Sequence, residues 1–321
     1  MERVSPWLLL LVLLVAASGP GARADPQVPC YFVFGDSLVD NGNNNDIASL
    51  ARANYPPYGI DFPGGATGRF SNGLTTVDAI SRLLGFDDYI PAYAGANNDQ
   101  LLSGAAVQQL VSILGDEDSA ANHLSQCIFT VGMGSNDYLN NYFMPAVYAT
   151  SRQYTPEQYA DVLILYNNGA RKVALMGVGQ VGCSPNELAQ QSSDGVTCVA
   201  RINGAIEIFN QKLVELVDQF NTLPGAHFTY INAYGIFQDI IRSPGANGLT
   251  VLDKGCCGVG RNNGQVTCLP FQTPCANRNE YLFWDAFHPT EAANILVGRR
   301  AYSAAQPSDV HPVDLQTLAR L

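Results

Sequence analysis

The chain is expected to fold as an α/β protein, with a mostly parallel sheet covered by helices on both faces. Three observations lead there. Short, nearly continuous apolar runs alternate with amphipathic ones along the chain. Each short run is closed by Gly, Asn or Asp. The amphipathic runs place apolar residues at helical spacing. Strands buried on both faces read as continuous apolar runs, and strand–helix alternation builds parallel sheets.

The strand candidates are residues 31–34, 128–131, 172–176, 228–231 and, more weakly, 281–284. Between them, Leu74, Val77, Ile80 and Leu84 fall on one helical face before Gly85. Val107, Leu110, Val111 and Leu114 repeat that spacing before Gly115. Thr155, Pro156, Glu157 and Gln158 form a capping box with Pro at the first helical position, opening a helix through Tyr166. The longest helix is expected over 197–220, burying Ile202, Ile206, Phe209, Leu213, Leu216 and Val217. A last one follows Pro289. No Ser/Gly linker and no internal repeat interrupts the pattern, so residues 25–321 are expected to form a single domain.

Residues 1–24 stand outside it. Arg3 precedes an apolar run from Trp7 to Ala17, and Ala22-Arg23-Ala24 supplies a small-residue cleavage site. This reads as a secretory signal, and the run is short for a membrane span. No later stretch is long enough to span, so the mature chain is expected to lack a transmembrane segment. Without residues 1–24 the chain keeps 15 of its 17 basic and 27 of its 28 acidic residues, a net charge of −12. An acidic chain with no basic patch repels phosphate backbones, which argues against a nucleic-acid partner. All eight cysteines follow the signal and meet an oxidising compartment. Cys183 and Cys198 could close the loop between them, and Cys256, Cys257, Cys268 and Cys275 cluster in a Gly/Asn-rich stretch. Cys30 and Cys127 begin apolar runs and read as buried residues. Zinc is the rival for the cluster, but no His lies within it and no CxxC spacing occurs, which favours disulfides. The chain has no N-x-[ST] sequon, so N-glycosylation is not expected.

Three motifs carry candidate chemistry. Gly35-Asp36-Ser37 follows the first strand, where open α/β sheets place their sites. The alternative is a helix-capping Ser, which the polar, Asn-rich stretch from Asp40 to Asp46 weakens. Asp285-Ala286-Phe287-His288 can supply a base and the carboxylate that orients it from one segment, as a Ser nucleophile requires. Its alternative is a surface His beside a helix start. The remaining His lie elsewhere: His123 in a polar helix, His227 at a strand start and His311 in the tail. Gly132-Met133-Gly134-Ser135-Asn136-Asp137 follows the second strand, and Asn136 could donate to a developing oxyanion, the alternative being an ordinary turn.

Together and in this order, the three motifs resemble the GDSL esterase/lipase family of SGNH hydrolases, its plant secreted branch in particular. Further similarity lies in Phe32–Asn44, in 58–62 (Tyr-Gly-Ile-Asp-Phe), in 67–73 (Thr-Gly-Arg-Phe-Ser-Asn-Gly), in Gly255-Cys256-Cys257-Gly258 and through His288-Pro289. The resemblance covers nearly the whole chain after residue 24. It implies a flavodoxin-like three-layer α/β/α sandwich and a secreted serine hydrolase cleaving carboxylic esters of lipids or other acyl groups. It casts Ser37 as nucleophile, with Asp285 and His288 completing the triad. The Ser37 backbone N–H and Asn136 become oxyanion donors. No cofactor and no metal is implied, and the expected location is extracellular, in the apoplast or cell wall.

One family block has no counterpart. Gly104 runs directly into Ala105-Ala106-Val107, where similar proteins carry a Gly-containing strand and loop that supply a third oxyanion donor. An edge strand with part of its crossover helix is expected to be missing, and the 159–169 helix to be shortened. The loss supports one alternative, a catalytically impaired, truncated member acting by binding; a separate alternative is an acyltransferase using the same triad. Gly177-Val178-Gly179-Gln180-Val181-Gly182 matches G-x-G-x-x-G, but Cys183-Ser184-Pro185 follows instead of a helix, which argues against a dinucleotide site. The G-x-S-x-G elbow is absent.

Overall fold

The computed structural model describes residues 25–47, 49, 51–93, 96, 117–136 and 170–321. Its central sheet has the order β1-β2-β3-β4-β7. β1 (Tyr31–Gly35), β2 (Ile128–Gly132), β3 (Lys172–Met176) and β4 (His227–Ile231) run parallel, and β7 (Val310–His311) returns antiparallel beside β4. The four parallel strands are the four strong apolar runs of the sequence. The weaker fifth run also forms a strand, β6 (Tyr281–Phe283), but it pairs with β5 (Val251–Gly255) in a separate two-stranded sheet. β5 escapes a hydropathy reading because Asp253 and Lys254 interrupt it. Among the described residues β1 pairs on one side only. The expected break after Gly104 lies outside the described residues, as do the helices expected at 107–114 and 155–166.

The pleat sorts the strand residues into two cores, because successive side chains point to opposite faces. On one face Phe32, Phe129, Val131, Val173, Leu175 and Phe228 meet Ile202, Ile206, Phe209, Leu213 and Val217 of α4 (Ala200–Phe220). On the other, Tyr31, Ile128, Ala174 and Ile231 meet α1 (Thr76–Leu83), α6 (Glu291–Tyr302) and α7 (Leu315–Arg320). This is the expected three-layer arrangement. α4 starts at Ala200 rather than 197 because its approach is pinned. Thr197 donates from its backbone and hydroxyl to Asp194, and Cys198 is bonded to Cys183.

The other described helices are α2 (Glu117–Gln126), α3 (Pro185–Gln191) and α5 (Ala233–Arg242). Ser184 caps α3, with Pro185 at its start, and Asn232 caps α5. No helix among the described residues is long and apolar enough to cross a membrane.

All eight cysteines are paired, as Cys30–Cys127, Cys183–Cys198, Cys256–Cys275 and Cys257–Cys268. Reading Cys30 and Cys127 as simply buried residues is corrected. They are buried, but they also immediately precede β1 and β2, whose register sets Tyr31 opposite Ile128 and brings their Cα atoms to 4.8 Å.

A buried ion pair braces the wall beside the strand ends. Both Arg69 and Asp78 are buried, and the guanidinium donates Nε to Oδ2 and Nη2 to Oδ1, each at 2.8 Å. Asp78 also accepts from the Thr75 backbone and hydroxyl, closing the capping box of α1. Arg69→Ala would leave that carboxylate buried and unpaired. It should destabilise the fold by about 3–5 kcal/mol, read as a lower urea midpoint.

Candidate active site

The loop carrying Ser37 begins at Gly35, the last residue of β1. A Cβ there would lie 2.4 Å from Val39 Cγ2 and 2.5 Å from the Gly132 carbonyl oxygen, so only Gly lets the chain turn this close to β2. Asp36 then fastens the turn. Its N–H donates to Gly132 O (3.3 Å), its Oδ1 accepts the Leu38 N–H (3.0 Å), and its Oδ2 accepts the Ser135 hydroxyl. Ser37 therefore sits in a turn at the carboxyl end of a strand, not at a helix start. The Ser135 bond also ties this loop to the helical turn that carries Asn136.

Asp285 and His288 come from the loop between β6 and α6. Trp284 N–H donates to His288 O at 2.7 Å, and Phe283 bridges Pro289. Within that closure, Asp285 Oδ1 accepts the N–H groups of Phe287 (2.9 Å) and His288 (2.8 Å), a local bond pattern that an Asp readily forms. The same turn swings the imidazole over its own carboxylate. His288 Nδ1 lies 2.8 Å from Oδ1 and 2.9 Å from Oδ2, while Nε2 lies 2.8 Å from Ser37 Oγ. Nδ1 faces carboxylate oxygens, so it carries the proton, and Nε2 is left to accept from the Ser37 hydroxyl. Three residues separated by up to 251 positions thus form one continuous hydrogen-bonded chain.

Asp285 is fully buried. Desolvation raises its pKa, but the charge and hydrogen bond of His288, the Tyr58 hydroxyl and the Phe287 N–H outweigh it and hold the carboxyl below the usual range. It stays ionised where it is needed. Two donors on Oδ2 were not anticipated from sequence, the Tyr58 hydroxyl at 2.5 Å and Thr267 Oγ1 at 3.1 Å. The Phe70 ring packs on the imidazole at 4.8 Å. Tyr58 and Phe70 fall in the quoted 58–62 and 67–73 stretches, which flagged them without a role. Nothing local marks Thr267.

Ser37, Asn136, Thr267 and His288 line one cavity of about 490 Å³. Its apolar wall includes Val33, Tyr55, Met176, Phe237, Phe283 and Phe287. The G-x-G-x-x-G stretch contributes Gly177 and Gly179 to this wall. The reading that Cys183-Ser184-Pro185 stands in place of a helix is corrected: after a short 3₁₀ turn Ser184 caps α3, with Pro185 at the first helical position, where a missing N–H costs nothing. A Cβ on Gly177 would fall 2.4 Å from the Tyr230 hydroxyl. Gly177 thus serves close packing beside the cavity.

The other histidines stay apart from this group. His227 opens β4, and His311 on β7 pairs with the exposed Asp218 at 2.7 Å. His123 Nε2 lies 3.3 Å from Cys30 Sγ. Cys30, His123 and Cys127 are close enough to resemble a metal cluster, but the disulfide consumes both thiolates.

An α/β/α sandwich with a Ser–His–Asp chain at the carboxyl ends of its strands is the arrangement of a serine hydrolase. Comparison with known proteins narrows the class. The description GDSL-like Lipase/Acylhydrolase matches residues 31–301. Two proteins of Arabidopsis thaliana, each named a GDSL esterase/lipase, are 56% identical to this chain; one covers 100% of both chains, the other 98% of this chain and 99% of its own. A third protein of that name is 47% identical over 98% of this chain and 96% of its own. The chain belongs to the GDSL lipase/acylhydrolase family. The first of these comparisons spans 364 aligned positions against 321 residues here, an excess of 43. At least that many positions in the relative therefore have no counterpart in this chain.

Proposed function

We propose that this chain hydrolyses carboxylic esters through an acyl-Ser37 intermediate, with His288 as general base and acid and Asp285 as its orienting carboxylate. The observation that carries this reading is the unbroken chain Ser37 Oγ, His288 Nε2, His288 Nδ1, Asp285. As Oγ attacks the ester carbonyl, its proton passes to Nε2, and the imidazolium formed is stabilised by the buried carboxylate. Collapse of the tetrahedral intermediate returns that proton to the leaving alcohol. Water then enters by the same route, activated by Nε2, and releases the acid. Negative charge on the tetrahedral oxygen is met by the Ser37 backbone N–H and the Asn136 side chain. Asn136→Ala is expected to lower kcat by about 10²–10³-fold, measured on a soluble p-nitrophenyl ester.

The cavity suits an acyl group with apolar length, since Val33, Tyr55, Met176, Phe237, Phe283 and Phe287 give it an apolar side. The family fold supports a small ester or lipid as substrate. We assign residues 1–24 as a secretory signal and 25–321 as one catalytic unit working outside the cell, a reading supported by the four disulfides. The direct test is covalent. The purified mature protein, incubated with a fluorophosphonate, should gain one adduct on the peptide containing Ser37 and lose p-nitrophenyl butyrate hydrolysis in parallel. Turnover that persists after full labelling of Ser37 would refute the assignment.

A further inference from the structure

Asp285 takes part in more than the bond to His288. Its Oδ1 is committed to two backbone N–H groups of its own turn. Its Oδ2, which lies 2.9 Å from His288 Nδ1, also meets a hydroxyl from each of two other segments: Tyr58 at 2.5 Å and Thr267 at 3.1 Å. The two hydroxyls are themselves 3.2 Å apart. We infer that Tyr58 and Thr267 are positioning residues of the reaction, a two-hydroxyl clamp that fixes the rotation of the Asp285 carboxylate and, through it, the imidazole plane. This deepens the serine-hydrolase reading and rests on it.

The construction around both hydroxyls supports the inference. Tyr58 is buried, and its ring is packed edge-on against Tyr55 (5.3 Å), Phe70 (6.0 Å) and Trp284 (6.2 Å). Phe70 in turn covers the imidazole, so one aromatic block holds the clamp and the base together. Burial, followed by the charge and hydrogen bond of Asp285, pushes the Tyr58 phenol far above its ordinary range. It therefore remains a donor at every pH at which the enzyme works. Thr267 is delivered covalently. The next residue, Cys268, is bonded to Cys257, whose N–H donates at 2.7 Å to the carbonyl of Trp284, the residue before Asp285. The disulfide thus anchors the Thr267 segment to the backbone that carries the acid.

An unclamped carboxylate can rotate about its terminal torsion, which is broad and roughly two-fold, and take Nδ1 with it. Small errors of this kind cost rate rather than affinity. A hydroxyl on Oδ2 also draws charge away from the bond to Nδ1. Removing it should move the acid limb of the kcat/KM profile to higher pH. The titratable groups facing the pair are Tyr55, Tyr58 and Ser37, and Asp36, Asp40 and Arg52 line the same cavity.

The test compares Tyr58→Phe, Thr267→Val and the double variant in the full mature chain, with p-nitrophenyl butyrate as substrate. Each single change should lower kcat about 10-fold and the pair about 100-fold, with KM within about two-fold of the parent. The acid limb should shift upward in each. Independently of turnover, the far-downfield proton resonance of the His288 Nδ1–H should move or broaden in the variants. Unchanged kcat, acid limb and resonance in a folded double variant would overturn the clamp. A parent chain lacking Ser37-dependent turnover would sink the hydrolase reading instead, while the resonance still decides whether the two hydroxyls set the Asp285–His288 bond.

Discussion

Replacing Ser37 by Ala should lower kcat on a soluble ester by about 10⁴–10⁶-fold, with the fold intact. The magnitude follows from what the hydroxyl does. In the proposed mechanism it forms the covalent bond, and its proton is the one His288 Nε2, 2.8 Å away, takes. Truncation leaves the oxyanion donors and the cavity in place, so a residual rate above that of water persists. Ser37 is only partly buried and its Oγ packs into no core, so the thermal midpoint should move little. The measurement is initial-rate hydrolysis of p-nitrophenyl butyrate beside thermal unfolding. Rates within 10-fold of the parent would show that another nucleophile does the work.

The second large effect is expected at Asp285→Asn, about 10⁴-fold in kcat. Every group around Asp285 is a donor: two backbone N–H groups, two hydroxyls and Nδ1–H. An amide NH₂ must face at least one of them. The relief available is for the imidazole to move its proton to Nε2, which removes the acceptor that Ser37 needs. Unlike Ser37→Ala, this change should also alter the pH dependence of stability. The folded carboxyl lies below its unfolded value, so its contribution is present above the unfolded pKa, near 4, and is lost as pH falls through the folded value. The parent should therefore lose stability below about pH 4 more steeply than Asp285→Asn, as read by urea midpoints between about pH 2 and 7. Parallel curves would remove Asp285 from the acid-labile groups.

The missing family block bears on both numbers. At least 43 aligned positions of a 56% identical relative are absent here, and the sequence puts a break just after Gly104. On the proposal that the third oxyanion donor is lost with these positions, the parent rate itself should be low. Asn136 and the Ser37 N–H then carry more of the stabilisation.

Much of the site was legible before any coordinates. Ser37, Asn136 and the Asp285/His288 pair each follow an apolar run closed by a polar or Gly residue, and such closures are where parallel sheets expose backbone ends. Period and punctuation are local properties, so β1 to β4, α1, α4 and α6 could be read from windows of about ten residues. β5 and β7 could not, since Asp253 and Lys254 break one run and the other has only two residues. The cysteines announced a disulfide framework, but their partners depend on which strand lies beside which. Cys30 meets Cys127 only because β1 and β2 are neighbours.

What the amino-acid order determined by itself was the inventory: Ser37, His288, Asp285 and Asn136, each at an element's end. Tertiary structure alone decided their convergence and their support. Tyr58 and Thr267 reach Asp285 across 227 and 18 positions. Nothing in either local stretch encodes a hydrogen bond to a carboxylate that comes within reach only after the sheets and disulfides have closed. The reason is physical. Propensity and periodicity act over a few residues, whereas the geometry of a buried polar cluster is set by packing and by the demand that each donor find an acceptor.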